Sequence, residues 1–186
     1  MAKHLKVSEK ERASFEKMKS DFHYKNAMAA PRMKKVVINT GTGSALKKDP
    51  KKNDAISERL AKITGQKAAL RGAKKSISTF KIREGDPIGL VVTLRGKRMY
   101  AFLEKLINVA LPRTKDFRGI PRKAVDNIGN VTIGIKEHTI FPETADEDIR
   151  DVFGMSITLV STAKNKKEGL AFFELLGVPF QKEEKK

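Results

Sequence analysis

The stretch from Gln66 to Arg83 holds Lys67, Arg71, Lys74, Lys75, Lys81 and Arg83 without a single acidic residue. Ser76, Ser78, Thr79 and Phe80 are interleaved with these cations. Cations neutralise phosphates, hydroxyls bond phosphate oxygens, and an aromatic face can stack on a base or ribose, so the mixture suits RNA contact. A solvated charge run with Phe80 tucked into the core is the plainer alternative. A second basic group follows at Arg95, Lys97 and Arg98. A third, Arg113, Lys115, Arg118, Arg122 and Lys123, surrounds Phe117 and Gly119. Three such groups point to an extended phosphate surface rather than one tight pocket. One region has the opposite sign: Glu137, Glu143, Asp146, Glu147, Asp148 and Asp151 are opposed only by Arg150. It suits a basic protein partner, or simple helix capping and solubility.

The whole chain supports the first impression. Its 186 residues carry 39 Lys and Arg against 22 Asp and Glu, a net charge of +17. A surplus of that size repels itself in a compact state unless a polyanion neutralises it, and nucleic-acid phosphate is the commonest one. Cysteine is absent, which excludes a disulfide scaffold and thiolate metal sites and fits a reducing compartment. The three histidines, His4, His23 and His138, lack metal-ligand spacing and stand beside no nucleophile or carboxylate motif, so neither catalysis nor a metal or other cofactor is expected. Gly41-Thr42-Gly43-Ser44 follows a strand pattern, but Leu46 stands where a third glycine would complete a dinucleotide fingerprint, and no Gly-Lys-Ser follows. A plain turn is the better reading. The N-terminus is too charged for a signal peptide, and no long apolar run exists, so a cytoplasmic protein without membrane contact is expected.

The elements that must position these groups can be read from periodicity. Phe15, Met18 and Phe22 predict an N-terminal helix that docks on the core, and Val36-Val37-Ile38 predicts a buried strand closing at Asn39. A helix starting at Asp49-Pro50 with Ile56, Leu60 and Ile63 on one face ends at Gly65. Residues 71–89 show little sustained periodicity and read mostly as a long exposed basic loop. A strand over 88–95 and a helix carrying Tyr100, Leu103, Leu106, Ile107 and Ala110 before Pro112 come next. Strands over 130–137 and 155–161 precede an amphipathic helix over 165–176 stopped by Gly177. No consistent βαβ repeat emerges. The expected fold is α+β, a single domain over 1–180 with a largely antiparallel sheet and helices packed on one face, leaving the other face for a ligand. Residues 181–186 read as a charged, disordered tail.

Several stretches together resemble a known family. They are Pro31-Arg32-Met33, Ile63-Thr64-Gly65-Gln66-Lys67, Phe80-Lys81-Ile82-Arg83-Glu84-Gly85, Pro87-Ile88-Gly89, Val92-Thr93-Leu94-Arg95-Gly96, Leu111-Pro112-Arg113, Asp116-Phe117-Arg118-Gly119 and Phe141-Pro142-Glu143. This combination, spread over about residues 22–180, resembles the bacterial large-subunit ribosomal protein numbered five. The chain departs from the family's usual pattern at Val125-Asp126-Asn127-Ile128-Gly129-Asn130, where an aromatic usually precedes the aspartate, and at His138.

The resemblance implies a non-catalytic constituent of the large subunit that binds 5S rRNA, helps attach it in the central protuberance and touches 23S rRNA and other proteins there. It implies 5S rRNA contacts at Asn39, Gln66 and Thr93, with Arg95 nearby; Lys67, Arg71 and Arg98 join them as phosphate-neutralising cations. The family's long loop reaches P-site tRNA, which here implicates Lys74, Lys75, Ser76, Ser78, Phe80, Lys81 and Arg83. The family also bridges to the basic small-subunit protein numbered thirteen, and charge complementarity assigns that contact to Glu143, Asp146, Glu147, Asp148 and Asp151. The rivals are a nucleotide-dependent enzyme built on the Gly41–Ser44 turn and a general DNA-binding protein. A thermal shift with nucleotides and Mg²⁺ would reveal the first, and equal affinity for duplex DNA and 5S rRNA the second.

Overall fold

The computed structural model describes residues 6–43, 52–115, 117–144 and 152–181. Two short N-terminal helices, α1 (Val7–Arg12) and α2 (Ser14–Phe22), lead into strand β1 (Met33–Gly41). Helix α3 (Lys52–Thr64), strand β2 (Ala69–Gly72) and strand β3 (Pro87–Leu94) follow. Helix α4 begins at Gly96, is α-helical to Lys105, widens into a π turn over Leu106–Ala110 and finishes in one turn, Leu111–Arg113. Strands β4 (Val131–Ile135) and β5 (Met155–Ser161) and helix α5 (Lys166–Leu176) complete the chain. The fold is α+β, with one five-stranded antiparallel sheet in the order β2-β3-β1-β5-β4. By contact density the chain divides into two units, one of 37–94 with 134–157 and one of the remaining residues, and β1, β4 and β5 run through both.

In the first of these units, Ile56, Leu60 and Ile63 of α3 are buried as the four- and three-residue spacing requires, and α3 packs on β3. Along β1 and β3 the side chains alternate: Ile38 and Thr40, and Leu90, Val92 and Leu94, are buried, while Asn39, Gly41, Val91 and Thr93 lie on the opposite, more open face. Three fully buried side chains from β3 alone contribute about 1.5–3 kcal/mol each to folding. His138 is also fully buried; it stacks on Phe153 with centroids 4.2 Å apart, and its Nδ1 accepts from the Phe153 amide. The Asp49-Pro50 helix start lies outside the described residues.

In the second unit, α1, α2 and α5 pack together. Asn165 caps α5 by accepting from the Glu168 amide at 2.9 Å, and Gly177 ends it in the left-handed region at φ 97°. Glu168 is buried, and its carboxylate is satisfied by the Lys164 amide and the Tyr24 hydroxyl. Tyr100 of α4 donates to Glu11 of α1 at 2.9 Å. Burial and the neighbouring carboxylate push the Tyr100 phenol up to about 12. Burial, with the Glu168 carboxylate, drives Tyr24 upward as well, and desolvation raises Glu11 above its ordinary value. The turn over Asp126–Asn130, where the sequence departs from the family pattern, is closed by the Asp126 carboxylate, which accepts from the Ile128 and Asn130 amides.

The expectation of a mostly exposed loop over 71–89 holds for the exposure of its middle and needs correction at its ends and in its backbone pairing. Its first two residues belong to β2 and its last three to β3, and the two strands pair antiparallel, Leu70 opposite Leu90 and Arg71 opposite Gly89. Pairing continues into the connection: the Ala73 amide donates to Asp86, the Gly85 amide to Ala73, and Ile77 exchanges backbone bonds with Ile82. The segment is a hairpin whose tip is a single 3₁₀ turn, Ser78–Phe80. A register shift between Arg71 and Gly72 breaks the period-two pattern that a sequence reading depends on. At Gly72 a β-carbon would come to 3.0 Å from the Gly85 carbonyl oxygen, so a side chain here would crowd the opposite side of the hairpin.

Candidate nucleic-acid interface

Strand parity assembles the candidate surface. Asn39 and Gly41 of β1 and Val91 and Thr93 of β3 share the face opposite the buried isoleucines and leucines. The register Arg71 opposite Gly89 and Ala69 opposite Val91 adds Ala69 and Arg71 of β2 to that face. Asn39 and Arg71 are exposed and Thr93 is half-buried. Gln66 belongs to the same neighbourhood: its side-chain amide donates to the Thr93 carbonyl at 3.3 Å, and its backbone amide donates to the Thr64 hydroxyl. Thr64 is itself anchored to the Leu60 carbonyl at 2.7 Å, so the end of α3 fixes where Gln66 stands. Of the residues expected to touch 5S rRNA, Asn39, Gln66, Arg71 and Thr93 are thus brought onto one surface. Lys67 is exposed just beyond Gln66.

Arg95 and Arg98 follow β3 at the start of α4. Both are exposed, and the Arg95 guanidinium donates to the Lys34 carbonyl at 3.4 Å, a long bond that holds the side chain only loosely.

The hairpin settles the alternatives for Phe80, which is 58% exposed and therefore no part of a core. Lys74, Lys75, Ser76, Ser78, Lys81 and Arg83 are exposed along the same hairpin. Ser76 is engaged locally, its hydroxyl accepting from the Glu84 amide at 3.0 Å. Lys81 adopts the left-handed backbone conformation at φ 51°, which turns the chain out of the tip. An aromatic ring flanked by lysines and hydroxyls on a backbone-paired hairpin can present a stacking surface and phosphate ligands together.

Sequence reasoning missed three members of the sheet surface. Gly41, read as a loop opener, is the last residue of β1 on the open face. Ala69, in the overlooked β2, is another. Ser156 of β5 donates to the Asn39 carbonyl at 3.4 Å. Counting by twos from Asn39 or along the 155–161 strand would have found Gly41 and Ser156. In the other unit the Thr132 and Thr158 hydroxyls meet at 3.1 Å between β4 and β5.

The rest of the chemistry is local structure. The Thr42 amide donates to the Ile88 carbonyl at 2.8 Å, so in the Gly41–Gly43 turn that donor extends the strand pairing and is not offered to a phosphate. Among the described residues no group of His, Asp and Glu could hold a metal ion, and no helix is long and apolar enough to cross a membrane. Within the acidic segment, Glu143 is exposed, while Asp146, Glu147, Asp148 and Asp151 lie outside the described residues, as does the 182–186 tail.

Comparison with known proteins identifies the family. The family model for ribosomal protein L5 matches residues 26–83, and that for the ribosomal L5P family C-terminus matches 87–180. The large ribosomal subunit protein uL5 of Trichlorobacter lovleyi is 51% identical over 166 residues, 89% of this chain and 92% of the relative. That of Halothermothrix orenii is 50% identical over 88% of this chain and 91% of the relative. That of Mesoplasma florum is 52% identical over 86% of this chain and 88% of the relative. With the two models covering the open strand face, the hairpin and the C-terminal half, and relatives matched nearly end to end, the chain belongs to the ribosomal protein L5 family, whose members are non-enzymatic, ribosome-bound constituents of the large subunit.

Proposed function

We propose that the chain binds 5S rRNA through the open face of β1, β2 and β3 and helps attach it to the large subunit in the central protuberance, residues 1–180 working as one RNA-binding domain. The observation that carries the reading is parity: residues that alternate with a closed, mainly apolar core place an amide, a hydroxyl and a guanidinium, from Asn39, Thr93 and Arg71, on one face without an acid among them. Amides and hydroxyls suit ribose hydroxyls and phosphates, the groups by which folded RNA is recognised through shape. Gln66 adds a second amide, held in place from behind by Thr93. Arg71, Lys67, Arg95 and Arg98 supply the sequence-independent attraction to phosphate.

The hairpin, with Phe80 at its tip and Lys74, Lys75, Ser76, Ser78, Lys81 and Arg83 exposed along it, is the part we assign to P-site tRNA. The third basic group, Arg113 to Lys123, is assigned to 23S rRNA on its charge. The acidic segment that begins at Glu143 and includes Asp146, Glu147, Asp148 and Asp151 is assigned to the basic small-subunit protein numbered thirteen, through charge complementarity.

Filter-binding titrations against 5S rRNA, tRNA and duplex DNA at several salt concentrations test the central assignment. The expected result is a preference for 5S rRNA that persists as salt rises. Equal binding to all three that collapses with salt would sink it, leaving only the charge of +17 at work.

A further inference from the structure

Where the β2–β3 hairpin leaves the sheet, the open face ends in a groove of about 640 Å³. Its walls include Ile77 and Ile82 from the hairpin and Ile88 from β3. Gly41 and Gly89 provide stretches of floor without side chains. Arg71, Lys74 and Lys75 line it as well, and no acidic residue is among the described lining groups. Ile77 is 45% exposed, so its side chain is available to a partner in the groove. The two glycines differ. A β-carbon at Gly89 would sit 3.3 Å from the Thr40 carbonyl oxygen, whereas one at Gly41 would meet none of the described residues within 4 Å. Among the described residues, open space therefore stands directly above Gly41.

The lining chooses among occupants. A volume of this order accommodates a small planar ligand together with its attached sugar. Apolar walls and a bare backbone floor favour a flat, weakly polar group. Three cations without a compensating acid favour phosphates beside it. One component of RNA has both, a nucleotide whose base has left its stack, and a fully paired helix cannot offer it because its bases are covered on both faces. Asn39, also in the lining, places an amide where a base edge or ribose hydroxyl could meet it.

We propose that this groove holds one unstacked nucleotide of the RNA lying on the open face, its base against Ile77 and Ile82 above Gly41 and its flanking phosphates on Arg71, Lys74 and Lys75. The inference rests on the reading of that face as an RNA surface. It also makes the root of the hairpin part of the sheet's own binding site, separate from whatever the Phe80 tip contacts.

The test fills the groove without touching a cation. Gly41→Leu places a side chain in the open space, and Gly41→Ala is the control. Each full-length variant is titrated with 5S rRNA, with a short single-stranded pyrimidine oligoribonucleotide and with a fully paired RNA duplex. Gly41→Leu is expected to weaken the first two by about tenfold or more, as loss of one stacked base would. Duplex affinity and the salt dependence should stay as in the wild type, because every cation that meets a phosphate is still in place. Gly41→Ala should bind like the wild type. Ile77→Ser, at an exposed position, repeats the test from the opposite wall should the leucine variant melt early. Undiminished single-strand binding by a normally folded Gly41→Leu or Ile77→Ser protein overturns the proposal. A wild type without 5S preference, whose single-strand binding still falls with Gly41→Leu, would reject the 5S assignment and keep the groove.

Discussion

Thr93 and Leu94 are neighbours in the chain, yet one lies on the open face of β3 while the other is fully buried. The same contrast separates Asn39 from Ile38 on β1. The inner face consists of groups whose value is the water they exclude, and the outer face of groups whose value is what they offer a partner. Nothing but the period of two divides them, and a one-residue slip would exchange the faces entirely. Stability and recognition can therefore be changed almost independently on these strands.

The largest expected effect comes from the inner face. Leu94→Ala should lose about 2–5 kcal/mol of unfolding free energy in a denaturant titration, since it leaves a cavity in a closed core. A loss well under about 1 kcal/mol would mean that the inner face is not the core it looks to be. One residue away, Thr93→Ala, or Asn39→Ala on β1, should change stability by no more than about 0.5 kcal/mol. These outer-face variants should nevertheless weaken 5S rRNA binding by about fivefold while sparing duplex DNA, one well-placed hydrogen bond being worth about 1 kcal/mol. Equal weakening for both nucleic acids would erase the distinction between recognition and charge.

A smaller effect belongs to the hairpin. Replacing Lys74 and Lys75 together by alanine should weaken tRNA binding and flatten its salt dependence by roughly 0.7 for each phosphate left without its cation, while 5S rRNA binding, which keeps the sheet contacts and loses only the groove phosphates, is reduced but not abolished. Phe80→Ala should leave the melting curve nearly unchanged, because a side chain that is 58% exposed contributes little to the core. A large fall in melting temperature would show that the tip packs on something.

The smallest effect lies away from both faces and serves as a control. Tyr24 and Tyr100 are the chain's only two tyrosines, and both phenols are pushed upward, Tyr100 to about 12. A folded pKa above the unfolded one means stability that is full below pH 10 and is lost as pH rises through about 12. Tyrosinate absorbance should accordingly stay low at pH 10 in the folded protein and rise only near 12. Ionisation of either tyrosine at its ordinary pH would show that the Glu11 or Glu168 bond is not kept in solution.

Much of this was legible beforehand. The 155–161 strand has the bounds expected from its β-branched run, α5 was announced by Leu170, Phe173 and Gly177, and α3 by its apolar stripe. The misses share a cause. Strand β2 is exposed along its whole length, so no burial pattern marks it, and its pairing rests on backbone groups common to every residue. The stem beyond it is held the same way, through Ala73, Asp86, Ile77 and Ile82. The π turn over Leu106–Ala110 was equally invisible. It precedes Pro112, which lacks an amide donor and crowds the preceding turn, and a widened turn relieves that conflict without interrupting the apolar side chains. Phe80 had an undecided fate, and context sent it outward, while His138, which no local pattern placed, is buried against Phe153.

The sequence by itself determined the charge, the strand character of β1 and β5, the alternation of β3, the helix ends at Gly65 and Gly177, and the family, because each is written in local composition or period. Tertiary structure alone decided that Asn39, Gln66, Arg71 and Thr93 share a surface, that the basic segment is a paired hairpin, and that a groove opens above Gly41. Those facts depend on which strands lie side by side and in what register. Register is fixed by the burial of side chains distant in the chain, and no local stretch of residues records it.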